Sequence, residues 1–200
     1  MITTLIFDLN QVIVNFDYSN SNDKYIKLLG VNCDEFWNES AKHYRELDTN
    51  KLTGTDYLKT LLKEFNKDPI KHQELKDLIF NDLIAEPGTI DILNKLKKNY
   101  KLILLAGDCE EFFNIKFKKF KLNEIFDDIY VTYQFGISKY NSEIYEKVLN
   151  KLKISGDECL FIDDNPSFIL AAKKAGIKNS IRFIDSKQLT KELNEKSIPF

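Results

Sequence analysis

Three carboxylates stand where the sequence could gather them for chemistry. Asp8 closes the apolar run Thr3–Phe7, and Asp163-Asp164 closes the run Cys159–Ile162. If both runs are parallel strands of one sheet, their carboxyl ends deliver these acids to the edge where open α/β sheets bind ligands. Neighbouring carboxylates cannot lose water together without a cation or hydrogen-bond donors between them. A hard divalent cation, which takes oxygen ligands, resolves that conflict. Taken singly, each acid equally suits a solvated turn or a helix N-cap; three at matching strand ends point to a metal.

Other reactive residue types offer less. Cys109 is placed at a helix start, where the dipole lowers a thiol pKa, but no Arg stands where a cysteine-phosphatase loop needs one, and Cys equally serves as a small core residue. His43 and His72 are the only histidines, too few for a zinc site or a Ser-His-Asp triad. No dinucleotide or P-loop glycine pattern occurs. The run Lys116-Phe117-Lys118-Lys119-Phe120-Lys121 interleaves bases with aromatics, as single-stranded nucleic acid binders do. Phe113, Phe117 and Phe120, however, share one helix face, which predicts a buried aromatic stripe with its lysines in solvent.

The elements that must position the acids follow from periodicity. Apolar runs at Thr3–Phe7, Leu102–Leu105, Ile129–Val131, Cys159–Ile162 and Ile181–Ile184 read as buried parallel strands. Helical patterns lie between the later ones: Thr89–Asn99, Glu110–Phe120, Ser142–Leu152 and Pro166–Ala175, the last closed by Gly176. The alternation predicts an α/β fold with a doubly wound, Rossmann-like parallel sheet. From Tyr18 to Ala85 the rhythm changes to helices without strands: Ser19–Leu29, Asp34–His43, Thr53–Phe65 and Pro69–Leu83, with Thr53 and Asp68 as N-caps. The expected organisation is a core of residues 1–17 and 86–200 and a helical insertion at 18–85, hinged near Asn15–Tyr18 and Ala85–Gly88. A final helix is expected within Ser186–Phe200.

Composition sets the bounds. A chain of 200 residues holds one core plus an appendage, and 43% hydrophobic with 30% charged residues describes a globular protein. A net charge of -2 leaves no basic footprint for nucleic acid. The three cysteines have no paired spacing, so reduced thiols and a cytoplasmic location are expected. The run ended by Asp8 is too short for a signal peptide or membrane span, and no membrane association is expected.

The segment Ile6-Phe7-Asp8-Leu9-Asn10-Gln11-Val12-Ile13-Val14 resembles the first motif of the haloacid dehalogenase superfamily, and Leu160-Phe161-Ile162-Asp163-Asp164-Asn165-Pro166 resembles its fourth. Gly136-Ile137-Ser138-Lys139, followed by Glu143-Ile144-Tyr145, is similar to the third motif. Motif order and spacing match over nearly the whole chain, with the helical insertion where the family carries its first type of cap. The resemblance implies that Asp8 attacks phosphorus and forms an aspartyl-phosphate that water hydrolyses. It implies a magnesium ion held by Asp8, the backbone carbonyl of Asn10, Asp163 and Asp164. Lys139 would neutralise the anionic centre; the alternative for it is a solvated surface lysine. The substrate implied is a small phosphorylated metabolite.

The chain departs from the pattern at three places. Asn10 stands where most phosphatases of the superfamily carry a second Asp as general acid/base; a subgroup of sugar-phosphate phosphatases whose motif reads FDLGNV also lacks it. In the second motif Ala106-Gly107-Asp108 replaces the phosphoryl-binding Ser or Thr, and Asp108 brings a negative charge towards an anion site. Tyr140 replaces the Pro that usually follows the lysine. A missing general acid costs about 10²–10⁴-fold and a missing charge-assisted hydrogen bond about 1.5–3 kcal/mol, against an enzymatic barrier reduction of about 8–23 kcal/mol. A slow phosphatase survives that loss. Two other uses of the fold stay open: a catalytically impaired binding or regulatory protein, and a dehalogenase-like attack by Asp8 on carbon, which needs no magnesium. Trp37, His43, Tyr44 and Arg45 of the insertion are candidates to reach over the site.

Overall fold

The computed structural model describes residues 1–199 and, apart from 18–20, their side chains. At its centre the chain lays down the strands β1 (Thr4–Phe7), β4 (Lys101–Ala106), β5 (Asp128–Val131), β6 (Cys159–Asp163) and β7 (Asn179–Arg182) as one parallel sheet in the order β5-β4-β1-β6-β7. Strand β1 is therefore the middle strand, and the chain builds outwards first on one side of it and then on the other. Such a reversal opens a crevice at the carboxyl ends of the central strands.

Alternation along β1 explains how both faces are buried. Leu5 pairs in register with Leu102 and Leu160, and Ile6 with Ile103 and Phe161. Leu5, Phe7, Leu102, Leu104, Leu160 and Ile162 belong to one core layer with α6 (Pro87–Leu96), α7 (Glu110–Lys119), α8 (Leu122–Ile125) and α11 (Ser186–Glu195). Ile6, Ile103, Leu105 and Phe161 belong to the other, with α9 (Glu143–Leu152) and α10 (Pro166–Lys174). Successive strand residues face opposite sides, so a strand covered by helices on both faces is apolar at every position. The doubly wound α/β sheet expected from the sequence is the observed one.

Between β1 and α6 lie α1 (Tyr18–Leu29), α2 (Cys33–Ala41), α3 (Tyr44–Asp48), α4 (Gly54–Glu64) and α5 (His72–Asn81). Asn32 and Glu35 form a capping box at α2, Thr53 accepts from the Asp56 amide at α4, and Asp68 caps the short 3-10 turn before α5. Their apolar faces join the same core layer as α6 and α7, through Tyr25, Phe36, Leu58, Leu61 and Phe80. Glu111 of α7 accepts from Lys76 of α5 at 2.6 Å and from the Thr55 amide at 3.1 Å.

Several sequence expectations need correction. The segment 18–85 was expected to hold no strand, yet β3 (Leu83–Ala85) pairs antiparallel with β2 (Val14–Phe16), Val14 facing Ala85 and Phe16 facing Leu83. Three residues are too few to show a period of two, which is why the pattern hid them. The ribbon overlaps the expected hinge ranges at Asn15, Phe16 and Ala85, and the Asn15 side chain donates to Glu86 at 3.0 Å. Helix α6 begins at Pro87 rather than Thr89, because proline suits the first helical position, where no amide hydrogen is needed. The outer strand β7 lies two residues earlier than Ile181–Ile184. The last helix ends at Glu195, and Phe200, expected within its range, lies outside the described residues.

Gly156 opens the short turn before β6, and a Cβ added to it would overlap the Gly176 carbonyl beyond α10. Backbone cannot yield there as a flexible side chain would. Gly156→Ala is expected to cost about 1–3 kcal/mol of unfolding free energy, read as a lower urea midpoint; an unchanged midpoint would show that this turn does not set the seat of β6.

Candidate active site

The crevice at the ends of β1, β4 and β6 collects the acids. Asp8 follows β1, its amide donating to the Ile162 carbonyl at 2.9 Å, and Asp163 ends β6. Oxygens of Asp8, Asp163 and Asp164 all lie within 4.8 Å of one another. Among the described residues this is the acidic group with metal-site geometry.

One ammonium holds the group together. Lys139, with no exposed surface, donates to Asp8 Oδ1 at 2.6 Å and to Asp163 Oδ2 at 2.5 Å. Its loop follows Gly136, whose φ of +64° suits glycine, and the Tyr145 hydroxyl of α9 donates to the Lys139 carbonyl at 3.0 Å. The Phe168 ring centroid lies 4.8 Å from Nζ. A solvated surface lysine is thus excluded for this residue.

Electrostatics follow from burial. Desolvation and the Asp8 charge push the Asp163 carboxyl up against the pull of Lys139, and the same two causes push Asp164 up to about 6. For Lys139 burial alone would lower the pKa, but the carboxylates of Asp163 and Asp8 override it and raise it. Three carboxyl groups therefore crowd a single lysine, and burial favours a proton on two of them unless a cation takes its place.

The second-motif residues sit across the crevice. Ala106 ends β4, buried and without a hydroxyl, and the Gly107 carbonyl accepts from the Tyr44 hydroxyl at 2.9 Å. A Cβ at Gly107 would overlap that hydroxyl, so glycine lets the α3 tyrosine close on the strand end. Asp108, expected to bring a bare negative charge, instead accepts from Lys116 at 2.7 Å and from the Cys109 amide at 3.0 Å. Burial raises its pKa, with Lys116 opposing.

Lys116 is the residue that sequence reasoning misplaced. Expected on a solvated rim, it is 6% exposed, and its Nζ also donates to Asn10 Oδ1 at 2.9 Å. Helical spacing puts it four residues before Phe120 and three after Phe113, on the face that was reserved for aromatics. Cys109 does stand at the N-cap of α7, yet it is wholly buried, and desolvation with the adjacent Asp108 pushes its thiol up to about 12. That opposes a thiolate nucleophile.

Residues of the helical segment reach the site unequally. Trp37 and Tyr44 line a cavity of about 280 Å³ whose walls include Asp8, Asp108, Lys116 and Asp164. The Arg45 guanidinium lies 4.3 Å from the Tyr140 ring centroid, at the position where proline was usual, and His43 does not line the cavity. Asp48, which drew no notice in the sequence, is fully buried; its Oδ2 accepts from the Ser138 hydroxyl at 2.7 Å while Oδ1 has no partner. Nothing in its local pattern marks it, because the contact spans ninety positions.

The chain matches the family described as haloacid dehalogenase-like hydrolase over residues 4–181. It belongs to the haloacid dehalogenase-like hydrolases. Within this family a relative is D-ribitol-5-phosphate phosphatase of Bacteroides thetaiotaomicron, 27% identical over 192 residues, covering 89% of this chain and 90% of the relative. A solved haloacid dehalogenase family enzyme of the same organism, in complex with magnesium and inorganic phosphate, superposes with a TM-score of 0.74 at 20% identity, covering 92% of this chain and 96% of that one. L-2-haloacid dehalogenase of Xanthobacter autotrophicus, with chloropropionic acid covalently bound, shares the fold with a TM-score of 0.72 at 16% identity, covering 100% and 85%. Among the described residues no helix is long and apolar enough to cross a membrane.

Asp48 gives the chain a pH-sensitive contact between α3 and the lysine loop. Burial pushes its carboxyl up to about 6, against the Ser138 hydrogen bond and Lys139. The folded state then binds the proton more tightly than the unfolded chain, so the contribution of Asp48 to stability is full at low pH and is lost as pH rises from about 4 to about 6. Asp48→Asn is expected to flatten that part of the stability–pH curve by on the order of 1–3 kcal/mol. Superimposable slopes for wild type and variant in chemical denaturation would refute the assignment.

Proposed function

We propose that the chain is a magnesium-dependent phosphatase that acts slowly on a small phosphomonoester through an aspartyl-phosphate at Asp8. The observation that carries the reading is the convergence of three carboxylates at the ends of the middle strands, two of them on one buried lysine. Supporting it, the family relative is named as a phosphatase of a phosphorylated polyol, and the fold neighbour was solved with magnesium and phosphate. In this reading residues 1–17 and 86–200 are the catalytic core and 18–85 the cap.

The donor set fits magnesium. A divalent ion would favour the ionised form of all three carboxylates, which against one ammonium leaves two negative charges for it to neutralise, and all the donors are oxygens. Asp8, Asp163, Asp164 and the Asn10 carbonyl would hold it. When bound, it compensates charge on the phosphoryl oxygens and orients them for in-line attack.

The residues then divide the work. The Asp8 carboxylate attacks phosphorus, forming a P–O bond as the bond to the alcohol oxygen breaks. The departing oxygen takes its proton from water, since the Asn10 amide has none to give. Lys139, pinned by Asp163, presents its charge to the pentavalent centre, and Tyr44 against Gly107 narrows access for solvent. Water next attacks phosphorus, frees Asp8 and releases phosphate. Without a proton carrier at position 10 or a hydroxyl at 106, both steps are slow.

Those two gaps also favour a second reading, a catalytically impaired binding or regulatory protein. Lys116 occupies the Asn10 side chain, so that group is not free to act on substrate.

Two measurements test the proposal. Magnesium at ten times its Kd is expected to raise the melting temperature by about 3–6 °C in the wild type and not in Asp164→Ala; an equal shift in both removes the metal site. In magnesium, wild-type hydrolysis of a sugar-phosphate panel and an aryl phosphate is expected to exceed the Asp8→Asn blank, and Asn10→Asp with Ala106→Ser to raise it further. Wild type at blank level with an active double variant supports the impaired reading, and two inert proteins with bound magnesium reject the hydrolase.

A further inference from the structure

We infer that Lys116, held by Asn10 and Asp108 in the wall of the cavity beside Asp8, selects phosphomonoesters whose organic part carries hydroxyl groups. The inference rests on the phosphatase reading and adds to it the residue that reads the substrate.

Position comes first. Asp8 and Asp164 mark the reactive end of the cavity, while Phe16, Trp37, Phe80 and Phe112 supply apolar wall. Lys116 and Asp108 bring a buried ion pair to the same space, with Asn10 on its edge. A lysine desolvated among aromatic rings costs several kcal/mol unless paired. Asp108 supplies the pairing, so the lysine persists in a wall where an apolar side chain would pack without any such cost.

Chemistry then says what the group recognises. An ammonium has three N–H donors. Lys116 commits one to Asp108 and one to Asn10, and among the described residues the third has no protein acceptor. The pair carries no net charge, so a second phosphate would gain the lysine only by competing with the carboxylate already on it. A hydroxyl fits without conflict, because it accepts from the free N–H and donates to a carboxylate or amide oxygen alongside. The cavity's roughly 280 Å³ suits a small molecule, and the rings suit the C–H faces of a carbon chain.

Asn10 acquires a role from this arrangement. Its amide oxygen accepts from the Lys116 ammonium and fixes where that group sits in the wall. The departure in the first motif and the missed lysine in α7 thus belong to one device.

The test compares kcat/KM for ribitol 5-phosphate with that for 4-nitrophenyl phosphate, which has no hydroxyl on its organic part. Lys116→Met is expected to lower the ratio of the two by about tenfold to a hundredfold, the size of a lost hydrogen bond to a charged group. That variant leaves Asp108 buried without its cation and endangers folding, so Lys116→Met with Asp108→Asn is measured beside it and is expected to show the same fall. Proportionate losses on both esters would overturn the inference and reduce Lys116 to a structural partner of Asp108. Should the wild type hydrolyse neither ester, the phosphatase reading fails by itself. Ligand-observed NMR with ribitol then decides the inference: a bound signal lost in the double variant upholds it, and no signal in the wild type overturns it.

Discussion

A lysine with no access to water, wedged between two carboxylates, is the constraint on which the rest of the crevice depends. Lys139 reaches Asp8 and Asp163 only because β1 and β6 are adjacent and in register, with Phe7 opposite Ile162. The desolvation of three charges is tolerable only with each hydrogen bond made. Tyr145 fixes the backbone of the lysine loop from below, and Phe161 and Phe168 fill the space beneath the ammonium. The charges do not balance, and the excess is negative, which is the electrostatic reason for expecting a cation.

A second buried lysine works in parallel from the other side. Lys116 comes from α7, one element after β4, and satisfies Asp108 just beyond the strand end. The two lysines have separate partners: Lys139 holds Asp8 and Asp163 at the ends of β1 and β6, and Lys116 holds Asp108 beside β4 with the Asn10 amide. The negative charge at Asp108 that seemed hostile to an anion is therefore already spoken for. Under the proposed function, the site holds its phosphoryl end by one lysine and its organic end by the other.

Much of this was legible because strand-end acids and alternating elements leave short-range traces. Asp8, Asp163 and Asp164 each stop an apolar run, and the run marks the strand that carries it. Lys139 was placed by its resemblance to a motif; its burial was not readable, since nothing in Gly136–Tyr140 distinguishes it from a surface loop. Lys116 was misread for a physical reason: in a helix, a lysine among phenylalanines has the same local pattern whether its head reaches water or a carboxylate eight residues back. Asp48 was illegible because its partner lies far along the chain, and the ribbon β2–β3 because strands of three residues are too short to show a period.

The ribbon has a consequence for how such a protein diverges. Val14 faces Ala85, so the chain leaves for the helices of 18–85 and returns from them at points one ladder rung apart, about 4.5–5.5 Å between opposed Cα atoms. The sheet therefore meets the same two anchor points whatever is hung between them. Doubling the length of such an excursion adds only about 0.6 kcal/mol of closure entropy. Selection can rewrite the walls supplied by Trp37, Tyr44 and Phe80 while the acids at the strand ends and the lysines of α7 and the loop after Gly136 stay in place, which separates the inheritance of chemistry from the inheritance of taste.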